Sequence, residues 1–188
     1  GIGRRQRQMC IRDSYTIGAA VAGAEAHERE DITADWPGVI EAWDLIGSTQ
    51  IQGRASLGGN LCNASPAGDS VPAMVAAGMT ANIAGPDGRR TLPVEEVTAG
   101  PGKTNLKKGE FIVSFNLPAK PSNGGDAYLR LIPRTEMDIA VVGCGVALTL
   151  DDSGTVTSAK VSLGAVAATV LVVELSLIHI SEPTRRYE

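Results

Sequence analysis

The chain has 188 residues, with 17 Lys+Arg against 21 Asp+Glu, a formal net charge of −4 and 43% hydrophobic residues. That balance suits a globular chain, and once the two ends are set apart no basic run of the kind that tracks a nucleic-acid backbone remains. No apolar stretch approaches the roughly 18 to 20 residues that a membrane span requires.

The two ends read unlike the middle. "RRQRQMCIRDS" (residues 4–14) and "LSLIHISEPTR" (residues 175–185) resemble translations of a transposon-type sequencing adapter. The codons for residues 9–14 would be the reverse complement of those beginning at Leu175. Residues 1–14 and 175–188 are therefore set apart as adapter-like, and residues 15–174 read as an insert from a longer gene. Without the ends, six bases and three acids fall away, leaving 11 and 18 and a net charge of −7. Cys10 and His179 fall away too. Cys62 and Cys144 lie too far apart to suggest a disulfide framework or a metal site. They read as buried small residues, and the lone His27 as solvent-exposed. The composition fits a reducing, cytoplasmic setting.

In chain order, "YTIGAAV" (residues 15–21) reads as a strand and "AGAEAHERED" as one short acidic helix. "DWPGVIEAWDLIG" is a clearer helix, with Asp35 as its cap, Pro37 in its first turn and Gly47 at its end. Val39, Ile40, Trp43 and Ile46 fall at helical spacing and form its buried face. "RASLGGNLCNASPAGDSVPA" (residues 54–73) reads as a glycine-bearing loop, with Ser56 and Leu57 ending a strand. "DSVPAMVAAG" is a helix with Asp69 or Ser70 near its cap and Gly78 at its end. "MTANIAG" is a strand and "PDGRR" a turn. "TLPVEEVTAG" and "PGKTNLKKG" are connecting segments with little pattern. "EFIVSFNLP" (residues 110–118) is a strong strand ended by Pro118. "AKPSNGGDA" is rich in Gly, Pro and Ser and reads as a linker. Beyond it, "YLRLIPR", "IAVVGCGVALTL" and "AKVSLGAVAATVLVV" are apolar or alternating runs, the last two separated by a "DDSG" hairpin turn. The fold class is α+β. A mixed first domain covers residues 15–118, a linker 119–126, and the start of a sheet-rich second domain 127–174.

The chemistry is concentrated in "SLGGN". Gly58 and Gly59 remove two Cβ atoms in a row, which lets main-chain N–H groups face an anion. Asn60 adds an amide, and Ser65 and Asp69 follow at the entrance to a helix, whose start carries partial positive charge. Such a segment suits a diphosphate and the polyol beside it; a tight turn between strand and helix is the other reading. The pattern is neither the G-x-G-x-x-G fingerprint nor the phosphate-binding loop. No nucleophile, metal cluster or acid–base pair is visible.

The wider stretch "IGSTQIQGRASLGGNLCNASPAGDSVPA" resembles the second flavin-binding segment of the FAD subunit of molybdenum hydroxylases, the xanthine dehydrogenase and carbon monoxide dehydrogenase relatives. Gln50, Ile51, Gly58, Gly59, Asn60, Ala64, Ser65, Pro66, Asp69 and Pro72 match the family pattern, whereas Gln52 and Gly53 stand where Arg-Asn is usual. "GEFIVSFNLP" is similar to the strand that closes the flavin domain, and "AYLRLIPRTEMDIAVVGCGVALTL" to the start of the C-terminal domain. The resemblance implies the later part of an FAD domain of the vanillyl-alcohol-oxidase kind, then a smaller α+β domain. It implies that Ser56, Leu57, Gly58, Gly59 and Asn60 line the diphosphate and flavin, that Asp69 makes a polar contact to FAD, and that Ile112 lies against it. Arg130 stands where a lysine near the ring is common; a solvated strand residue is the alternative. Arg134 and Asp138 match a recurrent R-x-x-x-D spacing and read as a structural ion pair.

The resemblance further implies electron relay. A molybdopterin-binding large subunit and a [2Fe–2S] small subunit would be the partners, electrons passing through FAD to NAD+ or a quinone. Another FAD-dependent oxidoreductase of the same fold and a flavin-free assembly subunit are the alternatives. Because the family's first flavin segment would lie upstream of Tyr15, this chain alone is expected to hold FAD weakly or not at all.

Overall fold

The computed structural model describes residues 14–134 and 137–173. Apart from Ser14, the adapter-like ends lie outside the described residues. Two four-stranded antiparallel sheets enclose a layer of short helices. The first sheet has the order β1-β6-β2-β3, from β1 (Ser14–Gly18), β2 (Thr80–Gly85), β3 (Gly88–Pro93) and β6 (Phe111–Pro118). The second has the order β10-β9-β8-β7, from β7 (Gly124–Leu131), β8 (Val142–Leu150), β9 (Val156–Gly164) and β10 (Leu171–Val173). A small ribbon pairs β4 (Thr98–Gly100) with β5 (Lys103–Thr104). The mixed helix-and-strand architecture is the expected α+β class.

The helices are α1 (Gly23–His27), α2 (Glu30–Asp35), α3 (Pro37–Asp44), α4 (Thr49–Gln52), α5 (Leu57–Cys62) and α6 (Ser70–Ala76). The acidic segment thus forms two helices rather than one. Ser56 and Leu57 do not end a strand: Ser56 caps α5 and Leu57 opens it. The turn and connecting segments contain β3 to β5 and a 3-10 turn at Val94–Glu96. They also contribute Val94 and Val97, both fully buried.

One buried cluster joins Ile17, Ala81, Ile83, Ile112, Phe115 and Leu117 of the first sheet to Val39, Ile40 and Trp43 of α3, Leu57 and Leu61 of α5, and Met74 and Val75 of α6. The expected apolar face of α3 is therefore core, except that Ile46 lies past its end and is only half-buried. Pro37 opens α3, where its missing N–H costs nothing. Asp35 is not the cap; Trp36 occupies that position without a side-chain capping bond, and Asp35 accepts from the Tyr15 hydroxyl. The cap comes from the second sheet: Asp126 Oδ2 accepts the Val39 amide at 3.0 Å. For the same reason the expected linker ends early. Residues 124–126 already belong to β7, whose backbone passes so close to α3 that a Cβ on Gly38 would stand 2.7 Å from Ala127 Cα.

Gln52, where the family pattern has Arg, supplies the last turn of α3 with a donor. Its Nε2 donates to the carbonyls of Trp43, Asp44 and Ile46 at 3.1, 3.0 and 2.6 Å. These are the acceptors that a helix C-terminus leaves open. Its Oε1 is buried with no partner among the described residues, so a neutral amide does the capping at the cost of one stranded acceptor.

Arg90 on β3 grips Glu110, just before β6, through Nε–Oε1 and Nη2–Oε2 contacts of 2.9 and 2.8 Å, and the Lys107 amide donates to the same carboxylate. The Arg90 hydrogen bonds, then the Lys107 amide, pull the Glu110 carboxyl down to about 2 from its ordinary 4.5. A carboxylate with a depressed folded pKa stabilises the fold above its unfolded pKa and loses that contribution as pH falls through the folded one. The melting temperature should therefore fall between pH 4.5 and pH 2 more steeply in the wild type than in Glu110→Gln. Circular dichroism melts over that range test this, and parallel slopes would remove Glu110 as a source of acid sensitivity.

Candidate functional site

The glycine-bearing segment is the first turn of a helix, not a bend. Ser56 Oγ accepts the Gly59 amide at 3.1 Å, an N-cap bond of the ordinary kind. The Gly58 amide donates to the Ala19 carbonyl at 3.1 Å, and the Ala19 amide donates to the Val113 carbonyl at 3.0 Å. The start of α5 is thus sewn to the turn after β1, and that turn to β6. A Cβ on Gly58 would sit 2.6 Å from Ala19 O and 2.9 Å from Ala19 Cβ, so Gly58 is bare because two backbones meet there. Gly59 differs: it is exposed, and a Cβ on it would meet only Ser56 Oγ, at 3.1 Å. Among the described residues no acceptor takes the Leu57 amide. The outcome is a smooth peptide surface built from Gly18, Ala19, Ser56 and Gly59, at the positive end of a short helix.

Asn60 turns inward. Its Oδ1 accepts the Ser70 hydroxyl at 2.8 Å and the Ser70 amide at 3.3 Å, which staples α5 to the start of α6. Between the two helices Ala64 holds a left-handed backbone, φ 50°, while buried. Ser65 Oγ accepts the Ala67 amide.

Asp69, at the cap position of α6, faces β7. Its Oδ1 accepts from Arg130 Nη1 at 3.2 Å and from the Tyr128 hydroxyl at 3.4 Å. Arg130 Nη1 also donates to the Leu45 carbonyl at the end of α3, at 3.2 Å. The Arg130 and Asp69 side chains are only 9% and 14% exposed, so the solvated reading of Arg130 is overturned. Burial pushes the Asp69 carboxyl up, while the Arg130 charge and the Arg130 and Tyr128 hydrogen bonds oppose it. Burial, with the Asp69 carboxylate next, raises the Tyr128 phenol.

Ser56 to Asn60 and Asp69 therefore meet through the Asn60–Ser70 staple, and Arg130 joins them through Asp69. Ile112 does not enter this network. It is 8% exposed and its side chain lies in the core, one residue before the Val113 carbonyl that anchors the turn after β1. Arg134 and Asp138 form a bidentate pair at 2.8 and 3.0 Å. Cys62 is exposed rather than buried, Cys144 is half-buried, and neither is in a disulfide. His27 is exposed and meets Asp44 at 2.8 Å. Three features escaped the sequence reading: the Gly18–Ala19 backbone, the Leu45 carbonyl and Tyr128. The run of small residues in "IGAA" was the one signal for the first of them.

Residues 7–120 match the family described as the FAD binding domain in molybdopterin dehydrogenase, and residues 127–176 match the CO dehydrogenase flavoprotein C-terminal domain. The chain belongs to this flavoprotein family. It is 30% identical over 157 residues to the xanthine dehydrogenase FAD-binding subunit of Escherichia coli O157:H7, covering 83% of this chain and 53% of that one. It is 30% identical over 158 residues to the carbon monoxide dehydrogenase medium chain of Hydrogenophaga pseudoflava, covering 84% and 54%. Among solved structures, reconstituted CO dehydrogenase from Oligotropha carboxidovorans superposes with a TM-score of 0.79 at 29% identity, over 85% of this chain and 55% of that one. The chain spans about half the length of the curated relatives it matches. The FAD fold and the oxidoreductase family are thus those expected. The exposed Gly59 and the small residues around it fit a diphosphate laid against the peptide surface. No described helix is long and apolar enough to cross a membrane.

Proposed function

We propose that this chain is the diphosphate- and flavin-facing half of an electron-transfer subunit in a molybdenum hydroxylase-type dehydrogenase. The observation that carries the reading is the α5 start: a Ser56-capped turn with an exposed Gly59, set flush against the Gly18–Ala19 backbone. In this role Ser56, Leu57, Gly58, Gly59 and Asn60 hold the FAD diphosphate region. Asp69 and Arg130 form the wall beside it, and Ile112 backs it from β6. The flavin, when bound, supplies the one- and two-electron chemistry. The residues of the chain supply a close-packed peptide floor, the positive end of α5 and a fixed buried ion pair. A [2Fe–2S] small subunit and a molybdopterin-binding large subunit are the proposed partners, and NAD+ or a quinone the proposed acceptor. The cytoplasm is the proposed setting.

A chimera tests the reading. Residues 15–173 would replace the matching stretch of the Escherichia coli subunit, and the purified product would be assayed for flavin absorbance and folding. One FAD per chain is the expected result. A chimera that melts cooperatively yet carries no flavin would sink the proposal and favour a flavin-free assembly role. The unmodified 188-residue chain should take up added FAD weakly or not at all, followed by flavin fluorescence.

A further inference from the structure

Strand β7 meets α3 at both of its ends. Asp126 accepts the Val39 amide at the helix start, Glu41 accepts the Tyr128 amide midway, and Arg130 donates to the Leu45 carbonyl at the helix end. The spacing is matched. Eight helical residues rise about 12 Å, and the four strand steps from Asp126 to Arg130 span about 13 Å. An acid thus sits at the positive end of the helix and a base at its negative end, the arrangement a helix dipole favours. Arg130 has a second partner, Asp69, so one guanidinium ties the end of α3 to the start of α6. Asp69 is held in turn beside Ser70, which Asn60 binds. A chain of bonds therefore runs from β7 of the second domain to the first turn of α5.

We infer that Arg130 is a positioning residue: from the second domain it fixes the Leu45 turn and Asp69, and through Ser70 and Asn60 the cofactor-facing start of α5. This goes beyond a cation placed at the flavin ring, and it rests on the FAD reading for its functional consequence. The guanidinium suits the role because one rigid fork can serve a carbonyl and a carboxylate together. Its low exposure keeps water from competing for either.

Amide hydrogen exchange of the 188-residue chain decides the structural half without any flavin. Arg130→Met should speed exchange of the Leu45, Ile46, Ser70 and Val71 amides by about tenfold or more, while the amides of β2 and β6 change little. Arg130→Lys, which keeps a charge able to reach both partners, should stay within about threefold of the wild type. Unchanged exchange at those four amides in Arg130→Met would overturn the inference, as would a rise spread evenly over the chain. Should Arg130→Met fail to fold, Asp69→Asn takes its place: faster exchange at Ser70 and Val71 with Leu45 unmoved supports the inference, and no local change refutes it.

In the flavin-bearing chimera, a cycle of Arg130→Met and Asp69→Asn is read as FAD affinity. Positioning through Asp69 predicts that the Arg130→Met effect shrinks by about fivefold in the Asp69→Asn background, whereas a direct contact predicts equal effects in both. A chimera without flavin would defeat the functional proposal and leave the exchange result to decide the positioning.

Discussion

Gly145→Ala should cost about 3 kcal/mol or more of stability, and Gly145→Val should leave the chain without a cooperative transition. A Cβ at Gly145 would stand 2.5 Å from the Pro72 carbonyl oxygen, 2.6 Å from its carbon and 2.8 Å from the Ala73 nitrogen. All three are backbone atoms of a buried helix, so no rotamer change can relieve the clash. The neighbours leave no slack either. Ser162, fully buried, donates to the same Pro72 carbonyl, and a Cβ on Gly164 would press the Pro72 ring at 2.7 Å. Pro72 thus rests in a notch cut by Gly145, Ser162 and Gly164, and α6 cannot seat on the second sheet if the notch is filled. Domains of this size have only about 5 to 15 kcal/mol in total, so the valine should be ruinous. Gly53→Ala is the control, since a Cβ there meets nothing within 4 Å. Urea denaturation of the three variants measures the difference. A Gly145→Ala penalty below about 1 kcal/mol would show that the two layers slide apart easily.

The same notch explains why most strands of the two sheets could be read from the sequence while the union of the sheets could not. The strands announced themselves: "EFIVSFNLP" alternates and ends at a proline, "MTANIAG" leads into Pro-Asp-Gly, and "DDSG" closes a hairpin whose Asp151 accepts the Ser153 and Thr155 amides. Those signals are local. Gly145, Ser162 and Gly164 read as nothing more than small residues in apolar runs, because the helix they admit lies about 70 to 90 positions away in sequence. Capping misled in a similar way. Asp35 precedes Pro37 at the right distance for a cap, but Tyr15 claims it and Asp126 supplies the carboxylate from β7. At the candidate site the residue types were legible and the backbone was not. "SLGGN" is too short to distinguish a strand-ending loop from a capped helical turn, and Ser56, three residues before Gly59, was the mark of the turn. Arg130 drew notice only through the resemblance. Its partners, Leu45 and Asp69, are set by the antiparallel register of a sheet that begins after the linker.

Gly58 and Gly59 should part company when each is substituted, and that separation is the sharpest test of what the paired glycines do. Gly58→Ala would drive a methyl into the Ala19 carbonyl at 2.6 Å, tearing the Gly58–Ala19 bond and lifting α5 from the turn after β1. About 2 kcal/mol of stability should go, and FAD affinity with it. Gly59→Asp should act in the opposite sense on the fold. Position 59 is exposed, third in the helix and open except toward Ser56 Oγ, so an acid there meets the positive helix end and should raise stability by about 0.5 kcal/mol. The same carboxylate would stand where the FAD diphosphate is proposed to lie, and like charges at about 4 Å in a partly dry site repel by several kcal/mol. Affinity in the flavin-bearing chimera should therefore fall by about a hundredfold or more while the melting temperature holds or rises. Were Gly59→Asp to bind FAD as well as the parent, the diphosphate would have to lie elsewhere, and the α5 start would be only a joint between a helix and a strand turn. Were Gly58→Ala to leave both quantities untouched, the approach of α5 to Ala19 would be slack, and the smooth peptide surface proposed to cradle the cofactor would have no fixed shape.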